Sequence, residues 1–286
     1  MKGTTIRKLE AKDLDFAYKM VSTEEWNDRE ADLRRMLNCE PEGCFIAEVD
    51  DEPAGHVFSI GYEKLGWISL LIVDANHRNN GIATMLIERA MDYLLGHGLE
   101  TIKLEAVPEV AGLYRKLGFV DEYNSLRFVG TSRKQATLKS QCTNINRTED
   151  LLEIGRFDAE YFGADRTKVL SRLCKEFPEL CLVSRSKSGV NGYIMCREAA
   201  VGYKLGPWMC KPKNRPEATM LLTACLSKTK QGEKVYIGVP ALNTTAVEIL
   251  HELGFQQYSK SIRMRYGKEL HDCIEGVFAI GGPMKG

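Results

Sequence analysis

The 286-residue chain is 44% apolar and 27% charged, which predicts a globular protein of one large or two medium domains. Its 39 basic residues balance 39 acidic ones. Residues 1–130 carry 15 basic and 23 acidic residues, and residues 131–286 carry 24 basic and 16 acidic residues. The two halves therefore either attract each other or have ordinary solvated surfaces. Nucleic acid is disfavoured because no basic run is interleaved with aromatic residues, and a membrane because no apolar run approaches ~20 residues.

The first half alternates strand and helix patterns. Apolar segments at 45–49 and 55–62 flank the turn DDEPA and predict a hairpin. Residues 66–73, GWISLLIV, form a continuous apolar run, which is typical of a strand buried on both faces. Helical periodicity then runs from about residue 82 to Gly96. A strand, a short helix and a last strand are predicted at 101–107, 109–119 and 125–130.

The second half repeats the first. LYRKLGF, which ends at residue 119, recurs as ILHELGF, which ends at residue 255. ATML precedes the first of these segments and recurs before the second, so the order is the same. Eight residues beyond the phenylalanine of each LGF stands an arginine, Arg127 or Arg263. Matches in one order at nearly one offset predict a duplicated α/β unit. The elements of the second unit are predicted at 180–186, 192–198, 202–209, from 216, 234–240, 245–255 and 261–267.

The duplication sets the expected domain boundaries. Residues 1–130 form the first domain, residues 147–286 form the second, and the polar segment 131–146 is a linker. The nine cysteines show no metal-ligand spacing with the five histidines, so no metal is expected and reduced thiols in the cytoplasm are the simpler interpretation. The start of the chain has no apolar signal core, which agrees with that location.

Several segments resemble the GNAT (Gcn5-related) N-acetyltransferases. VDANHRNNGIATML resembles the family's motif A, Q/R-x-x-G-x-G/A, which here is Arg78-Asn-Asn-Gly81-Ile-Ala83, and LEAVPEVAGLYRKLGF resembles the strand and helix that follow. EEWN, FDAEYFGADRTKVLSRL, LGPWM and RMRYG resemble a tandem type with a second GNAT-like domain. The resemblance covers nearly the whole chain. It implies an α/β (α+β) protein of two tandem GNAT folds, each a mixed, mostly antiparallel sheet flanked by helices, and an acyltransferase with acetyl-CoA as co-substrate.

The turn before the first long helix suits a phosphate group. A helix N-terminus offers unpaired N–H groups, a glycine lets the backbone approach closely, and Arg78 adds charge; a plain helix cap by Asn79 or Asn80 is the alternative. By the resemblance, the preceding strand pairs with the pantetheine, and a bulge there frees an N–H for the thioester oxygen. The residues expected to bind acetyl-CoA are Leu71, Ile72, Val73, Arg78, Asn79, Asn80, Gly81, Ile82, Ala83 and Thr84.

Tyr114 stands at the family's position for the general acid that protonates the CoA thiolate. Taken alone, a tyrosine on an amphipathic helix is more often a core residue. The general base is open, because Glu105, His56 or Asp74 could accept the proton of the ammonium, directly or through water. Many family members have an asparagine before the tyrosine helix, where the first copy has VPEVAG. That asparagine stands in the second copy, as Asn243.

The second copy lacks the features that a phosphate and an acid need. Pro216 stands opposite Gly81 and has no N–H to offer. The next residue, Glu217, puts a negative charge where the anion would lie. Leu250 stands opposite Tyr114. The comparison predicts one acetyl-CoA per chain, bound by the first domain, with the second domain as scaffold and acceptor wall.

The acceptor side is expected to include Trp26, Asn27, Asp158 and Arg166, with a core tryptophan and a surface ion pair as the alternatives. The expected reaction is transfer of an acetyl group to a primary amine by direct attack. The acceptor is a small molecule or a peptide, and amino acids, polyamines, aminoglycoside-like amines and protein N-termini all stay open, as does the oligomeric state. The rival interpretation is a catalytically silent module that binds acetyl-CoA or docks a partner.

Overall fold

The computed structural model describes residues 3–132, 142–145, 148–270 and 273–286. The helices are α1 (Leu14–Thr23), α2 (Glu30–Cys39), α3 (Ile82–Gly96), α4 (Ala111–Lys116), α5 (Thr148–Phe162), α6 (Thr167–Glu176), α7 (Arg215–Lys228) and α8 (Thr244–Glu252). The strands are β1 (Thr4–Lys8), β2 (Cys44–Val49), β3 (Glu52–Tyr62), β4 (Leu65–Val73), β5 (Thr101–Ala106), β6 (Val120–Thr131), β7 (Cys142–Asn144), β8 (Cys181–Ser186), β9 (Gly189–Glu198), β10 (Tyr203–Cys210), β11 (Lys234–Pro240), β12 (Gln256–Gly267) and β13 (Val277–Ala279).

The elements predicted from periodicity are confirmed. The hairpin is β2 and β3, the continuous apolar run is β4, and the helix after the glycine turn is α3, which ends at Gly96. The strands β6 and β12 begin five residues before the patterns that predicted them. Within the segment 131–146 lies the short strand β7, and residues 133–141 and 146 of that segment lie outside the described residues.

The sheet is mixed and mostly antiparallel, as expected. Among the described strands only β4–β5 and β10–β11 pair in parallel. The strand order is β1-β2-β3-β4-β5-β12-β6-β11-β10-β9-β8-β7, and β13 pairs with β10. The strand β12 of the second half therefore lies between β5 and β6 of the first, while β6 pairs with β11 of the second. The two halves exchange their last long strands, so the two expected sheets form one continuous sheet.

The exchange has a local twofold centre between β6 and β12. Ser125 faces Ser261, and each lies two residues before an arginine that the repeat relates, Arg127 or Arg263. All four side chains contact the carboxylate of Glu105 on β5, at 2.9 Å from Ser125 Oγ, 2.7 Å from Arg263 Nε and 3.2 Å from Arg127 Nη2, with Ser261 as a further donor. Burial alone would raise the pKa of Glu105, but Arg263 and Arg127 lower it, so the carboxylate is ionised.

The helices cover both faces of the sheet. On one face, α3 and α4 pack on the first half, and α7 and α8 pack on the second. On the other face, α1, α2, α5 and α6 belong to a single buried apolar cluster, so the halves share a core. Buried ion pairs join them there, because Asp32 of the acidic half lies 2.9 Å from Arg197 of the basic half. Burial would raise the pKa of Asp32, but Arg197 and Arg35 lower it well below its usual range.

We expect Glu105→Gln to lower the free energy of unfolding by about 3–5 kcal/mol, because two buried arginines then lose their shared counter-charge. Urea unfolding followed by circular dichroism measures the change. The control is Glu198→Gln, which removes the ion pair with Arg29 at the surface and costs at most about 1 kcal/mol. Equal losses in the two variants would contradict the role of Glu105 as the central counter-charge.

Candidate active site

A cleft opens between β4 and β5. The two strands pair only from Leu65 to Trp67 of β4, opposite Thr101 to Lys103, and then diverge. Beyond Trp67, β4 keeps β3 on one edge, and none of the described strands pairs with its other edge. The strand β5 is paired with β12 along its whole length. An extended ligand could therefore pair with the free edge of β4 as an additional strand.

A bulge interrupts β4 inside this cleft. Phe58 pairs with Ser69 and His56 with Ile72, which leaves two residues of β4 opposite Val57 alone. The first of the two is Leu70, whose φ of 49° lies in the left-handed region that side chains rarely adopt. A bulge turns backbone groups away from the neighbouring strand. The resemblance predicted a bulge here, and the structure places it next to Leu71, the first residue expected along the coenzyme.

The turn that leads into α3 is a cradle of backbone amides. The N–H groups of residues 79–84 donate no hydrogen bond to any residue in the described part of the chain. Asn79 and Gly81 have φ angles of 65° and 78°, an alternation that turns successive N–H groups toward one point. A Cβ on Gly81 would meet no atom within 4 Å, so its φ and not crowding requires glycine. No side chain caps α3, so the simple cap by Asn79 or Asn80 is absent.

Arg78 is anchored beside the cradle. Its Nε donates to the carbonyl of Val73 at 3.0 Å, and its Nη2 lies 2.6 Å from Glu24 Oε1 at the end of α1. Glu24 escaped the sequence analysis because no spacing links it to an arginine 54 residues later, although it belongs to the EEWN segment. The contact ties the cradle to the loop between α1 and α2.

Tyr114 lies on α4 and faces the core under α3. It is 7% exposed, and its ring meets Phe119 edge-on at 5.9 Å. Its hydroxyl has no hydrogen-bond partner among the described residues. Burial raises its pKa, so the phenol is protonated at neutral pH.

Each of the three candidate bases has a structural role in the fold. Glu105 is the counter-charge of two arginines. His56 is fully buried between Phe16 and Phe58, and burial lowers its pKa to about 4, so the ring is neutral. Asp74 accepts a hydrogen bond from the N–H of Asn76 at 2.9 Å and begins the turn after β4. The base is therefore not assigned.

The expected acceptor-side residues fall into two groups. Trp26 and Asn27, in the loop after α1, contact the second half: the Asn27 amide exchanges two hydrogen bonds with the backbone of Val201, and the Trp26 carbonyl accepts from Lys204 at 2.7 Å. Asp158 and Arg166 are both buried and form a two-point ion pair, at 2.8 and 2.9 Å. The ion pair considered from the sequence is thus present, but in the core and not at the surface.

The equivalent cleft of the second half is filled. The strands β10 and β11 pair only from Tyr203 to Leu205 of β10, and β10 then bulges as β4 does. The strand β13 occupies the gap, pairing with β10, and Ile280 N–H donates to Gly238 O at 2.9 Å on β11. The side chain of Asn243 donates to the carbonyl of Val277 on β13 at 3.0 Å. The asparagine that many family members have before the tyrosine helix is here bound to the chain itself.

The start of α7 also differs from that of α3. The Ala218 N–H already donates to Asn214 O at 3.1 Å, whereas the N–H of Ala83, its counterpart in ATML, has no acceptor among the described residues. Pro216 stands in the first turn of α7 and has no N–H. Arg215 is held by Glu248 and Glu252, each at 2.6 Å. This turn starts a helix and presents no amide cradle.

The described ranges contain neither a candidate metal site nor a candidate membrane span. No group of three or more His, Cys, Asp or Glu side chains there is arranged to hold a metal ion. None of the described helices combines the length and the apolar character that crossing a membrane requires.

Comparison with known proteins identifies the family. A family model described as "Acetyltransferase (GNAT) family" matches residues 8–119, and one described as "Acetyltransferase (GNAT) domain" matches residues 154–279. Together they span most of the chain. The chain belongs to the GNAT family. It is a tandem GNAT acyltransferase, from a family that generally uses acetyl-CoA.

Relatives and solved structures agree with the tandem GNAT assignment. Holothin acyltransferase of Pseudoalteromonas sp. (strain SANK 73390) is 27% identical over 86% of this chain and 82% of its own. An acetyltransferase of Pectobacterium atrosepticum is 38% identical over 33% of this chain and 69% of its own. Two solved structures share the fold: a Pyrococcus horikoshii protein assigned as an acetyltransferase (TM-score 0.82, 22% identity, 100% and 97% covered) and a tandem GNAT protein from the clavulanic acid biosynthesis pathway (0.64, 13%, 94% and 100%).

The neutral buried His56 gives this GNAT fold a pH dependence. Because its folded pKa of about 4 lies below the unfolded value of 6.5, its contribution to stability is complete above pH 6.5 and is lost as the pH falls toward 4. We expect His56→Phe to reduce the stability lost between pH 7 and pH 4 by about 3 kcal/mol, measured by urea unfolding. His97→Gln, at an exposed histidine, is the control for removal of an imidazole at the surface. Parallel profiles for wild type and His56→Phe would contradict the prediction.

Proposed function

We propose that the protein acetylates a primary amine with acetyl-CoA at a single site between β4 and β5. The observation that carries the proposal is the row of amides at residues 79–84, which has no acceptor within the described chain and lies at the end of the free edge of β4. Backbone amides that converge at a helix N-terminus bind phosphate groups. The free edge supplies a surface for an extended amide-containing arm, and acetyl-CoA combines those two parts.

Each part of the coenzyme has a place in this arrangement. The pyrophosphate would bind the amides of residues 79–84, with Arg78 beside them. The pantetheine arm would run along the free edge at Leu71 to Val73. The bulge at Leu70 would direct an N–H to the thioester oxygen, where stabilisation of the developing negative charge is usually the largest catalytic contribution.

The proposed reaction is direct attack. The neutral amine forms a C–N bond with the thioester carbonyl carbon, the C–S bond breaks, and the CoA thiolate takes a proton from Tyr114. The nitrogen gives up one proton to a base that is not assigned. Burial supports the acid role of Tyr114, because it keeps the phenol protonated and shields the thiolate from water. The name of holothin acyltransferase, a relative over most of the chain, favours turnover over a silent coenzyme-binding module.

The second half is proposed to contribute structure and an acceptor wall, and no coenzyme site. Its cleft holds β13, and its helix start has Pro216 in place of a glycine turn. It also holds the loop with Trp26 and Asn27, through the backbone of Val201 in the turn between β9 and β10 and the side chain of Lys204 on β10. The expected division into domains at 1–130 and 147–286 stays a proposal about function, because the strands of the two halves are interleaved.

The cradle is tested by calorimetric titration with a non-hydrolysable acetyl-CoA analogue. We expect a stoichiometry of one per chain, and loss of binding in Gly81→Pro, because proline removes an N–H and cannot adopt a φ of 78°. Circular dichroism verifies that the variant is folded. Pro216→Gly, the equivalent position in the repeat, is the matched control and should neither weaken the site nor create a second one. Two sites per chain, or unchanged affinity in Gly81→Pro, would refute the assignment.

The acid is tested by Tyr114→Phe, which keeps the ring and removes one hydroxyl. We expect kcat to fall by about 10²–10⁴-fold with little change in affinity for the coenzyme analogue. Tyr266→Phe is the control, since Tyr266 packs on the other side of Phe119 at 5.7 Å in the same aromatic group. Turnover near that of wild type in Tyr114→Phe would retire the assignment.

A further inference from the structure

A buried arginine, Arg263, and a largely buried one, Arg127, share one carboxylate at the centre of the sheet. Arg263 pairs across the strands with Glu105, and Arg127 pairs in the same way with Gly238. A Cβ at Gly238 would lie 2.1 Å from Arg127 Nη1, so this position has no room for a second acid. The three side chains together therefore carry one excess positive charge in the interior.

The two arginines differ in how their nitrogens are used. Arg127 Nη2 donates to Glu105 at 3.2 Å and to Ser261 at 2.7 Å. Arg263 donates through Nε to Glu105, but its Nη2 is buried and has no hydrogen-bond partner among the described residues. The residue is only 3% exposed. Leaving a charged donor unpaired away from water is unfavourable unless a ligand or a water completes it.

Arg263 lines a small cavity between the two halves. Tyr123 of the first half and Tyr161, Phe162 and Ile280 of the second form much of its wall. Its volume of about 10 Å³ matches roughly one water molecule. The Arg263 guanidinium lies at one end of the cavity, which is otherwise enclosed by aromatic and apolar side chains and by the backbone of Gly286. The oxygen of Gly286 accepts a hydrogen bond from Arg166 Nη1 at 2.6 Å.

The cavity lies next to the proposed reaction site. The Arg263 guanidinium stacks on Trp67, with 4.6 Å between Cζ and the ring centroid. Trp67 is the last residue of β4 that pairs with β5, and it lies three residues before the bulge at Leu70. At a strand rise of about 3.3 Å per residue, Trp67 and Leu70 lie roughly 10 Å apart along β4. Trp67 and Phe162 also place the guanidinium on the sheet face opposite α3, the side away from the coenzyme cradle.

We propose that Arg263 binds a carboxylate of the acceptor, so that the enzyme selects amines that also carry a carboxylate. This inference rests on the amine acetylation proposed above. Glu105 holds the Nε edge of the guanidinium and Trp67 holds its plane, which leaves Nη2 directed at the ligand. One carboxylate oxygen occupies the cavity, in the space of one water molecule. The positive charge repels the ammonium end of the same molecule, so the amine lies toward the thioester.

The test compares matched acceptors that differ only in the carboxylate. The pairs are β-alanine with β-alaninamide, glycylglycine with its amide, and ε-aminocaproate with its amide, each assayed by release of free thiol from acetyl-CoA. We expect wild type to prefer the carboxylate member of at least one pair, and Arg263→Gln to lower kcat/KM for that member by about 10- to 100-fold through KM, with little change for the amide. Affinity for the acetyl-CoA analogue should not change.

Arg127→Gln is the matched control. It removes the repeat-related arginine from the same carboxylate, but Arg127 is partly exposed and does not line the cavity. It should leave the preference for the carboxylate member unchanged. Because each ratio is measured on one protein preparation, a general loss of folding does not alter it.

The outcomes separate this inference from the proposed function. If wild type acetylates members of the panel but treats carboxylate and amide alike, or if Arg127→Gln loses the preference as fully as Arg263→Gln, the role of Arg263 is refuted while amine acetylation stands. If wild type binds the acetyl-CoA analogue and acetylates no amine of the panel, the proposed function and the inference fall together.

Discussion

The pairing of β12 with β5 is the contact on which the open cleft depends. A parallel ladder of three residues is all that joins β5 to β4, and it ends at Trp67. Were β5 held only there, it could close on β4 or detach. The second half prevents both, because β12 pairs with β5 from Thr101 to Ala106 and leaves only the other edge free. The first half thus depends on a strand from the second for the edge of its cleft that β5 forms.

The same exchange concentrates charge at one point. Strand pairing brings Arg127 and Arg263 to Glu105, and the three side chains are buried where the two halves meet. A charged centre of this kind contributes less to stability than apolar packing of equal volume would, since its desolvation offsets its attraction. Its value is specificity: a register shift of one residue in β12 would turn Arg263 to the opposite face and leave Arg127 as the one arginine paired with Glu105.

Most of the local structure could be predicted, and most of the long-range structure could not. Periodicity located β4, α3 and the hairpin, since each signal lies within one short window. The exchange of strands left no such signal, because alternation shows which face of a strand is buried and not which strand lies at its edge. The three-residue strand β13 is too short for any periodicity. The burial of Asp158 and Arg166 was missed because two charged residues eight positions apart give the same sequence pattern on a surface as in a core.

For the site, the glycine turn and Tyr114 were predicted from the family resemblance, while the unpaired Arg263 nitrogen appears only once side chains are placed. The sequence contains one indication of this arrangement: Arg127 and Arg263 are related by the repeat, whereas Glu105 has no counterpart.

The strand β13 shows how an extended chain lies in a cleft of this duplicated fold. It lies in the second cleft as an extended chain, with hydrogen bonds to β10 on one side and, just after its end, to Gly238 on the other. The Asn243 side chain donates a hydrogen bond to one of its carbonyls. Both clefts begin with a three-residue ladder followed by a bulge, so β13 lies in the second half where the unpaired edge of β4 at Leu71 to Val73 lies in the first. The second half therefore shows how an extended peptide fits between the two strands of such a cleft. Its depth and direction give a starting position for an inhibitor built on a short β-strand.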